Sequence, residues 1–347
     1  MTVRDARVLA VRLDSDGDVL LTGPAIRALA HVAQRVDLLA SPAGRAAGEL
    51  LPGIGRVLEF AAPWSGYHPP RVDPPEIDAL VHDLGPYDAC VIFTSYHQSP
   101  LPMALVARLA GVRYVAATSE DYPGSLLDLR HRRPDGLHEV TAALDLALAA
   151  GGALPPDDDA ALAVRGPLPA VDTPTRPYVV LHPGASVPAR GLALEHAQAI
   201  GAALARAGWT VVVTGGPREG TLAASVARAA ADAGDAVDLS GRTTLAELAT
   251  VLAGAAALVV GNTGPAHLAA AVGTPVVSLF SPVVPAERWA PWGLHRLLGD
   301  QEAACAGTRA RECPVPGHPC VSSVAPSEVV AAVADLAAPV ELPGGAA

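Results

Sequence analysis

Residues 259–285 read VVGNTGPAHLAAAVGTPVVSLFSPVVP, and no other stretch limits the fold so sharply. The order is a buried strand, a tight Asn-Thr-Gly-Pro turn, a short helix and a second buried strand. Strands that alternate with helices make a parallel sheet covered on its faces. A Gly-bearing turn that opens a helix also leaves backbone N–H groups unpaired and converging on one spot, where the helix dipole favours an anion. Thr263 adds a hydroxyl there, and His267, in the first turn of the helix, adds a candidate cation. The combination suits a diphosphate, and so a nucleotide or a nucleotide-activated group.

The same alternation recurs on both sides of one change of texture. Strand patterns at 7–13 (RVLAVRL), 36–40, 56–60, 88–93 and 114–118 alternate with helical ones after DSDGD, at 100–111 and at 137–150. From Gly151 to Pro177 the chain is rich in Pro, Gly and Asp, which predicts a linker with one strand near 161–164. A second series follows, with strands at 178–182, 209–215, 235–241, 257–261 and 275–280. Its helices fall around 194–207, 220–233, 244–253, 264–272 and 327–337. The expected architecture is α/β, two Rossmann-like domains (1–165 and 166–347) whose parallel sheets face across a cleft. The last helix is expected to pack back on the first domain, and the final ELPGGAA is read as disordered.

At 347 residues the chain is comfortable for two domains. Its net charge of −11 argues against a nucleic-acid partner, since phosphate tracks need clustered Lys and Arg. An anionic small substrate stays open, because local backbone dipoles can outweigh net charge. The N-terminal MTVRDARVLAVRL enters a strand directly and lacks a signal-peptide core. The longest apolar run, 248–261, is too short to cross a bilayer. Four cysteines in this length do not make a secreted disulfide scaffold. A cytoplasmic monomer is expected, with peripheral membrane contact at most.

In open parallel sheets, ligands sit at the carboxyl ends of strands. Those positions hold Asp14-Ser15-Asp16-Gly17-Asp18, His182-Pro183-Gly184-Ala185-Ser186, Thr214-Gly215-Gly216-Pro217-Arg218-Glu219 and Asn262-Thr263-Gly264-Pro265. The last three belong to the second half, and all three are polar and Gly-bearing. Glycine is common in such loops for backbone reasons alone, yet three in one half point to a nucleotide site. None is a GxGxxG fingerprint or a Walker A loop, which sets NAD enzymes and P-loop enzymes aside.

The segments RLDSDGDVLLTGPAIRAL, HPGASVPARGLALEH, TGGPREGTLA, LSGRTTLAELATVLAGA and NTGPAHLAAAVGTPVVSLFSP occur in this order and span nearly the whole chain. Together they resemble glycosyltransferase family 9, the ADP-heptose:lipopolysaccharide heptosyltransferase family, which has the GT-B fold. The resemblance implies an inverting transferase that requires no metal cofactor. Its second half would bind the nucleotide-sugar donor, ADP-heptose, and its first half the acceptor hydroxyl. Asp18 corresponds to the family's proposed general base, a role worth roughly 10²–10⁴-fold in rate. By itself Asp18 reads as a helix-start acid facing the dipole. Asp16 is the fallback base, and the crowding of Asp14, Asp16 and Asp18 predicts at least one raised carboxyl.

The resemblance extends to the donor side. Arg190 stands where relatives usually carry Lys, and it replaces a point charge by a planar fork. With backbone donors near Gly184, Ser186, Thr263 and Gly264, it would stabilise the departing nucleoside diphosphate. Glu219, after Gly215 and Gly216, would accept from the ribose hydroxyls; the plainer reading is a first-turn helix acid. Thr243 and Thr244 would lie under the base, although Thr244 reads equally as an N-cap with Glu247 completing a capping box. Asn262 departs from the Asp common in relatives and removes a charge beside the diphosphate. His267 either touches the phosphate or packs.

For the acceptor, Tyr96 and His97 follow a strand end and, with Asp16, suit a sugar. Arg130, His131, Arg132 and Arg133 either meet an anionic acceptor or form a solvated loop. The acceptor is a glycan, such as the lipopolysaccharide inner core, or a small natural product, because fold does not fix it. The Lys-free, Ala- and Arg-rich composition resembles proteins of high-GC bacteria, many of which make no lipopolysaccharide. Cys305, Cys313, His318 and Cys320 fall within 16 residues, enough groups for zinc but without paired CxxC spacing. A Pro-stiffened loop with incidental thiols is the plainer reading, and Cys90 belongs to the core. Two rivals stand beside the transferase: a nucleotide-sugar epimerase of GT-B fold, and a degenerate relative that binds nucleotide sugar without turnover.

Overall fold

Short aliphatic and β-branched runs, buried on both faces, supply the strands of two parallel sheets, as expected where helices cover a sheet on each side. The computed structural model describes residues 2–66, 69–95 and 98–337. By contact the chain divides into two units, Met1–Pro167 and Leu168–Ala347. The first unit runs β1 (Arg7–Arg12), α1 (Asp16–Leu21), α2 (Gly23–Ala30), β2 (Arg35–Ala40), α3 (Arg45–Leu50) and β3 (Val57–Glu59). It continues with α4 (Pro74–Leu84), β4 (Ala89–Phe93), α5 (Leu101–Leu109), β5 (Tyr114–Thr118), β6 (Leu129–His131) and α6 (Glu139–Ala149). Its strands pair in the order β3-β2-β1-β4-β5-β6, all parallel.

The second unit runs β7 (Tyr178–His182), α7 (Leu194–Arg206), β8 (Thr210–Val213), α8 (Gly220–Ala231), β9 (Ala236–Asp238) and α9 (Leu245–Ala253). Then come β10 (Ala257–Gly261), α10 (Gly264–Ala271), β11 (Val276–Leu279), α11 (Ala286–Trp289), β12 (His295–Leu298), α12 (Pro319–Ser322) and α13 (Pro326–Ala337). Short 3₁₀ turns lie at Pro188–Arg190 and Pro217–Glu219. The strand order is β12-β11-β10-β7-β8-β9, again all parallel. Each unit therefore starts in the middle of its sheet, grows to one edge and returns to the other side of its first strand. That is the doubly wound order, which opens a crevice at the carboxyl ends of the first and fourth strands. These are β1 and β4 in one unit, β7 and β10 in the other.

Each sheet has its own core. In the first, Leu9, Val11, Leu39 and Ile92 pack with Met103 and Ala107 of α5. In the second, Leu181, Val213 and Val259 pack with Ile200 of α7, Val226 of α8 and Val333 of α13. The helix α13 lies against α7, β10, β11 and β12, all in its own unit. Among the described residues no helix is long and apolar enough to cross a membrane.

Three details differ from the sequence reading. The helix after the acidic loop breaks at Thr22, where Pro24 near the start of α2 begins a second segment. Residues 161–164 form no strand. That stretch is pinned singly instead: Arg27 grips Asp158 and the Ala161 carbonyl, at 2.7 and 2.8 Å from Nη2, and the Arg165 N–H donates to Leu50 at 2.8 Å. The edge strands β6 and β12 carry Arg and His and give no apolar run, because an edge strand is paired on one side only.

Leu9, fully buried on the central strand β1, is a sensitive point of the first core. Leu9→Ala is expected to cost about 2–5 kcal/mol through the cavity it leaves. The loss should appear as a lower urea midpoint at unchanged m-value.

Candidate active site

The apolar strand β1 ends on a charge. The Arg12 guanidinium is 3% exposed and reaches three carboxylates: Asp14 at 2.9 Å, Asp18 at 3.2 Å and Glu139 at 3.8 Å. It also donates to Ser95 Oγ, just beyond β4, at 3.1 Å. One side chain thus links both strand ends of the first crevice to α1 and α6. Burial opposes the charge on Arg12, but the three carboxylates outweigh it and raise the guanidinium above its ordinary value. A buried charge persists on such terms only, since an unpaired one is expensive. Glu139 is held in turn by Arg133 Nη1 at 2.7 Å.

The three acids of the loop after β1 have separate environments. Asp14 is pushed up to about 6, mainly by burial, with repulsion from Asp18 and Glu139 added. Arg12 and a 2.6 Å hydrogen bond from Gln98 Nε2 act in the opposite direction. Asp16 is raised by burial, and its Oδ1 accepts the Ala47 N–H at 3.0 Å, which fastens α1 to the first turn of α3. Gly44 permits that approach, because a Cβ there would stand 2.7 Å from the Asp14 carbonyl oxygen. Asp16 therefore serves the scaffold through its side chain. Asp18 is the more open acid, 22% exposed against 10% for Asp14. Ser15 Oγ donates to its second oxygen at 2.9 Å, so both oxygens are oriented.

Tyr96 and His97 lie outside the described residues, as does the C-terminal segment 338–347. The basic cluster is spent internally. Arg130 donates to the Ser119 and Glu120 carbonyls, and Arg132 pairs with Glu120 at 3.3 Å. His131 bridges Thr118 and Asp145 at 2.8 and 2.9 Å, and Arg133 holds Glu139. Sequence reasoning passed over Arg12 and Glu139, and it read Arg133 only as part of a basic cluster that meets an anionic acceptor or forms a solvated loop. A charge closing an apolar strand was the available signal for Arg12, while the pairing of Arg133 with Glu139 has no local signature.

In the second crevice β7 ends at His182. Its Nδ1 pairs with Thr214 Oγ1 at 3.0 Å, and its Nε2 stands 3.6 Å from Glu219 Oε2. Burial holds this imidazole below its ordinary value, with Glu219 opposing. The Glu219 carboxylate also accepts the Gly216 N–H at 2.7 Å and lies directly on Gly184, where a Cβ would overlap it. Gly184, Gly215 and Glu219 are therefore brought together, and the Gly241 N–H donates to the Gly215 carbonyl at 2.8 Å, drawing in the loop that leads to Thr243. Thr244 caps α9 in a capping box with Glu247, which commits its hydroxyl.

On the β10 side, Gly261 has no room for a Cβ, which would overlap the Arg190 carbonyl oxygen. That contact lays the Pro188–Arg190 turn against the strand end, and the Ala189 N–H anchors the turn to Arg311 at 2.8 Å. Arg190 Nε is buried without a hydrogen-bond partner among the described residues. Asn262 is committed to Ser281, donating to its carbonyl and accepting its N–H, both at 3.2 Å. An aspartate could not make that reciprocal pair, which accounts physically for the amide. Thr263 begins α10 without a side-chain cap bond, and Pro265 in that first turn has no N–H. His267 is buried within α10 and Ser186 is exposed at the rim.

All four cysteines are free thiols. Cys320 is pushed up to about 11 by burial, with Cys305 adding to the effect. Among the described residues no group of three or more His, Cys, Asp or Glu side chains is arranged to hold a metal ion.

Two doubly wound units, one with a clamped acid at its crevice and the other with converging Gly loops, define a glycosyltransferase of GT-B fold. The sequence model of glycosyltransferase family 9 (heptosyltransferase) matches residues 96–317, and this chain belongs to that family. Its activity is sugar transfer from a nucleotide sugar. A glycosyl transferase family 9 protein from Veillonella parvula DSM 2008 superposes with a TM-score of 0.76 at 16% identity, covering 97% of this chain and 98% of that one. The E. coli ADP-heptose lps heptosyltransferase II gives 0.70 at 18%, covering 95% and 98%. The E. coli heptosyltransferase WaaC, solved with ADP, gives 0.67 at 20%, covering 95% and 99%. At these identities the likeness is one of fold. Among curated proteins none matches the sequence.

Two outcomes follow from this geometry. Gly261→Ala is expected to destabilise by about 1–3 kcal/mol, as the Arg190 turn is forced off β10, read as a lower melting temperature. The Asp14 carboxyl, followed by carbon-13 NMR, should titrate near 6, and Asp18→Asn should lower that midpoint by removing a like charge. Because the folded value lies above the ordinary 3.8, the stability this group contributes is fully present below 3.8 and is lost as pH rises through about 6.

Proposed function

We propose that this chain transfers a heptose from ADP-heptose to an acceptor hydroxyl with inversion at the anomeric carbon. Asp18 takes the proton of the acceptor hydroxyl, the freed oxygen attacks the anomeric carbon, and the bond to the diphosphate breaks. The proton stays on Asp18 and the negative charge leaves on ADP. The division of labour gives the base to the first unit and the leaving group to the second. A single observation carries the donor side: among the described residues the buried Arg190 Nε has no hydrogen-bond partner, on a turn whose backbone lies against the end of β10. A guanidinium donor of that kind suits a diphosphate oxygen.

Glu219 supports the reading as a ribose acceptor, fixed by the Gly216 N–H with His182 close by. Thr243 and Gly215 would border the base, and Thr263, Gly264 and Ser186 the phosphates. Asn262 would act through its backbone, its side chain being tied to Ser281. On the acceptor side, Ser15 and Arg12 fix both oxygens of Asp18, which suits a base that must meet a hydroxyl in one orientation. The structures of WaaC with ADP and with ADP-2-deoxy-2-fluoro heptose favour the same donor here. Four free thiols favour action in the cytoplasm.

ADP should raise the melting temperature more than GDP or UDP. A ligand at a hundred times its Kd stabilises by about 2.7 kcal/mol, and no rise at saturating ADP would sink the donor assignment. Arg190→Ala should weaken ADP binding by about tenfold, roughly 1.4 kcal/mol. Asp18→Asn should slow transfer about 10²–10⁴-fold and leave the ADP-induced shift unchanged; full activity in that variant would mean that another group takes the proton.

A further inference from the structure

We propose that Glu139 is a positioning residue for Asp18: acting through Arg12, it draws off part of the guanidinium's charge and leaves Asp18 able to take a proton. The proposal deepens the reading above, in which Asp18 is the base, and it resolves a conflict within that reading. An opposite charge at hydrogen-bond distance holds a carboxylate in its ionised form and makes it a poor proton acceptor. Arg12 Nη2 stands 3.2 Å from Asp18 Oδ1, and the guanidinium is buried. Under that pairing alone Asp18 would be quenched by its own anchor.

Glu139 meets the same nitrogen. Its Oε2 lies 3.8 Å from Arg12 Nη2, while the hydrogens of that nitrogen have acceptors in Asp18 Oδ1 and Ser95 Oγ at 3.2 and 3.1 Å. At 3.8 Å the carboxylate makes no hydrogen bond to Arg12 and acts by charge. Its other oxygen, Oε1, accepts from Arg133 Nη1 at 2.7 Å, and Arg133 Nη2 donates to the Leu137 carbonyl at 2.6 Å, just ahead of α6. Glu139 is thus set between two guanidinium groups, one fixed to the backbone and one shared with the base. A glutamate in the first turn of a helix is favoured by the dipole even when exposed; this one is buried. Buried carboxylates are rare unless paired, so packing alone does not account for it.

The charged groups around Asp18 are Arg12 on β1, Asp14 and Asp16 in the loop, Glu139 on α6 and Arg133 ahead of it. Asp16 is bonded to the Ala47 N–H, Arg45 pairs with Glu49 within α3, and Arg27 of α2 is engaged by Asp158. Asp14 also competes for Arg12, but it gives up its charge as pH falls through about 6. Glu139 has a second arginine of its own.

The test is a carbon-13 NMR titration of the Asp18 carboxyl in the full chain, with two variants of opposite sign. Glu139→Gln keeps the size of the side chain and an acceptor for Arg133 but removes the charge, so Asp18 should titrate at lower pH than in the unmodified protein. Arg133→Met leaves Glu139 to Arg12 alone, and Asp18 should titrate at higher pH. A pair that only held the fold together would not move the midpoint in opposite directions; melting temperature and circular dichroism verify each fold. Should either variant not fold, the sign of the other decides. Rate is read as ADP release from ADP-heptose with water as the acceptor. Glu139→Gln should lower kcat about three- to tenfold with KM for the donor unchanged, and Glu139→Asp, which keeps the charge, should recover most of the loss. An unmoved Asp18 midpoint, shifts of the same sign, or an undiminished rate in Glu139→Gln would each overturn the proposal. Full ADP release in Asp18→Asn fells the base assignment and the proposal with it, whereas an unmoved midpoint beside an inactive Asp18→Asn fells the proposal alone. If the unmodified protein neither releases ADP nor is stabilised by it, the donor assignment falls, and the NMR titration decides on Glu139 by itself.

Discussion

A parallel sheet that begins at its centre has to reverse its direction of growth, and the chemistry of this chain follows from that constraint. No connection crosses the gap between the first strand and the fourth, so the loops leaving them turn apart and their main-chain groups stay accessible. The sequence makes this choice twice, with β1 and β4 and again with β7 and β10. The apolar runs that bury each sheet on both faces make the strand ends the natural place for polar groups to emerge.

The two crevices meet that opportunity differently. The first concentrates formal charge: one guanidinium shared among three carboxylates, with a second arginine bracing Glu139, the most buried of the three. Such a cluster is costly to bury but rigid once paired, and it leaves Asp18 the more open acid. The second crevice relies on backbone geometry. Glycines at 184 and 261 exist to let Glu219 and the Arg190 turn come into contact with strand ends, and a buried imidazole kept below its ordinary value adds little charge of its own. A site for a proton acceptor and a site for a departing anion need these opposite characters.

Much of this was legible in the linear chain. Strand and helix alternation reports burial on both faces, a local property, and the Gly-bearing loops advertise themselves by composition. The capping box at Thr244 was readable because all its members lie within one turn. What stayed hidden was non-local. Arg12 sits at the end of a strand-like run, and the partners that define its role, Ser95 and Glu139, lie far along the chain. Asp16, the fallback base in the sequence, is tied by its side chain to the Ala47 N–H of α3, a bond across 31 residues that no local pattern shows. Residues 161–164 carry a strand-like pattern but no neighbouring edge receives them. The pattern alone does not say that Arg27, more than a hundred residues earlier, holds that segment by Asp158 and a carbonyl.

The pairing of Asn262 with Ser281 has a consequence for how such a site is inherited. The Asn-Thr-Gly-Pro turn looks like a self-contained cassette, a peptide that could be moved between proteins or shuffled as a unit. Its shape is instead set jointly by the chain leaving β10 and the chain leaving β11, because each supplies half of a reciprocal amide clasp. A transplanted turn would arrive without its mould. Because Ser281 contributes only its main-chain N–H and carbonyl to the clasp, exchange at this locus must carry Asn262 with the backbone beyond β11 behind it, while the side chain at 281 answers to no such demand.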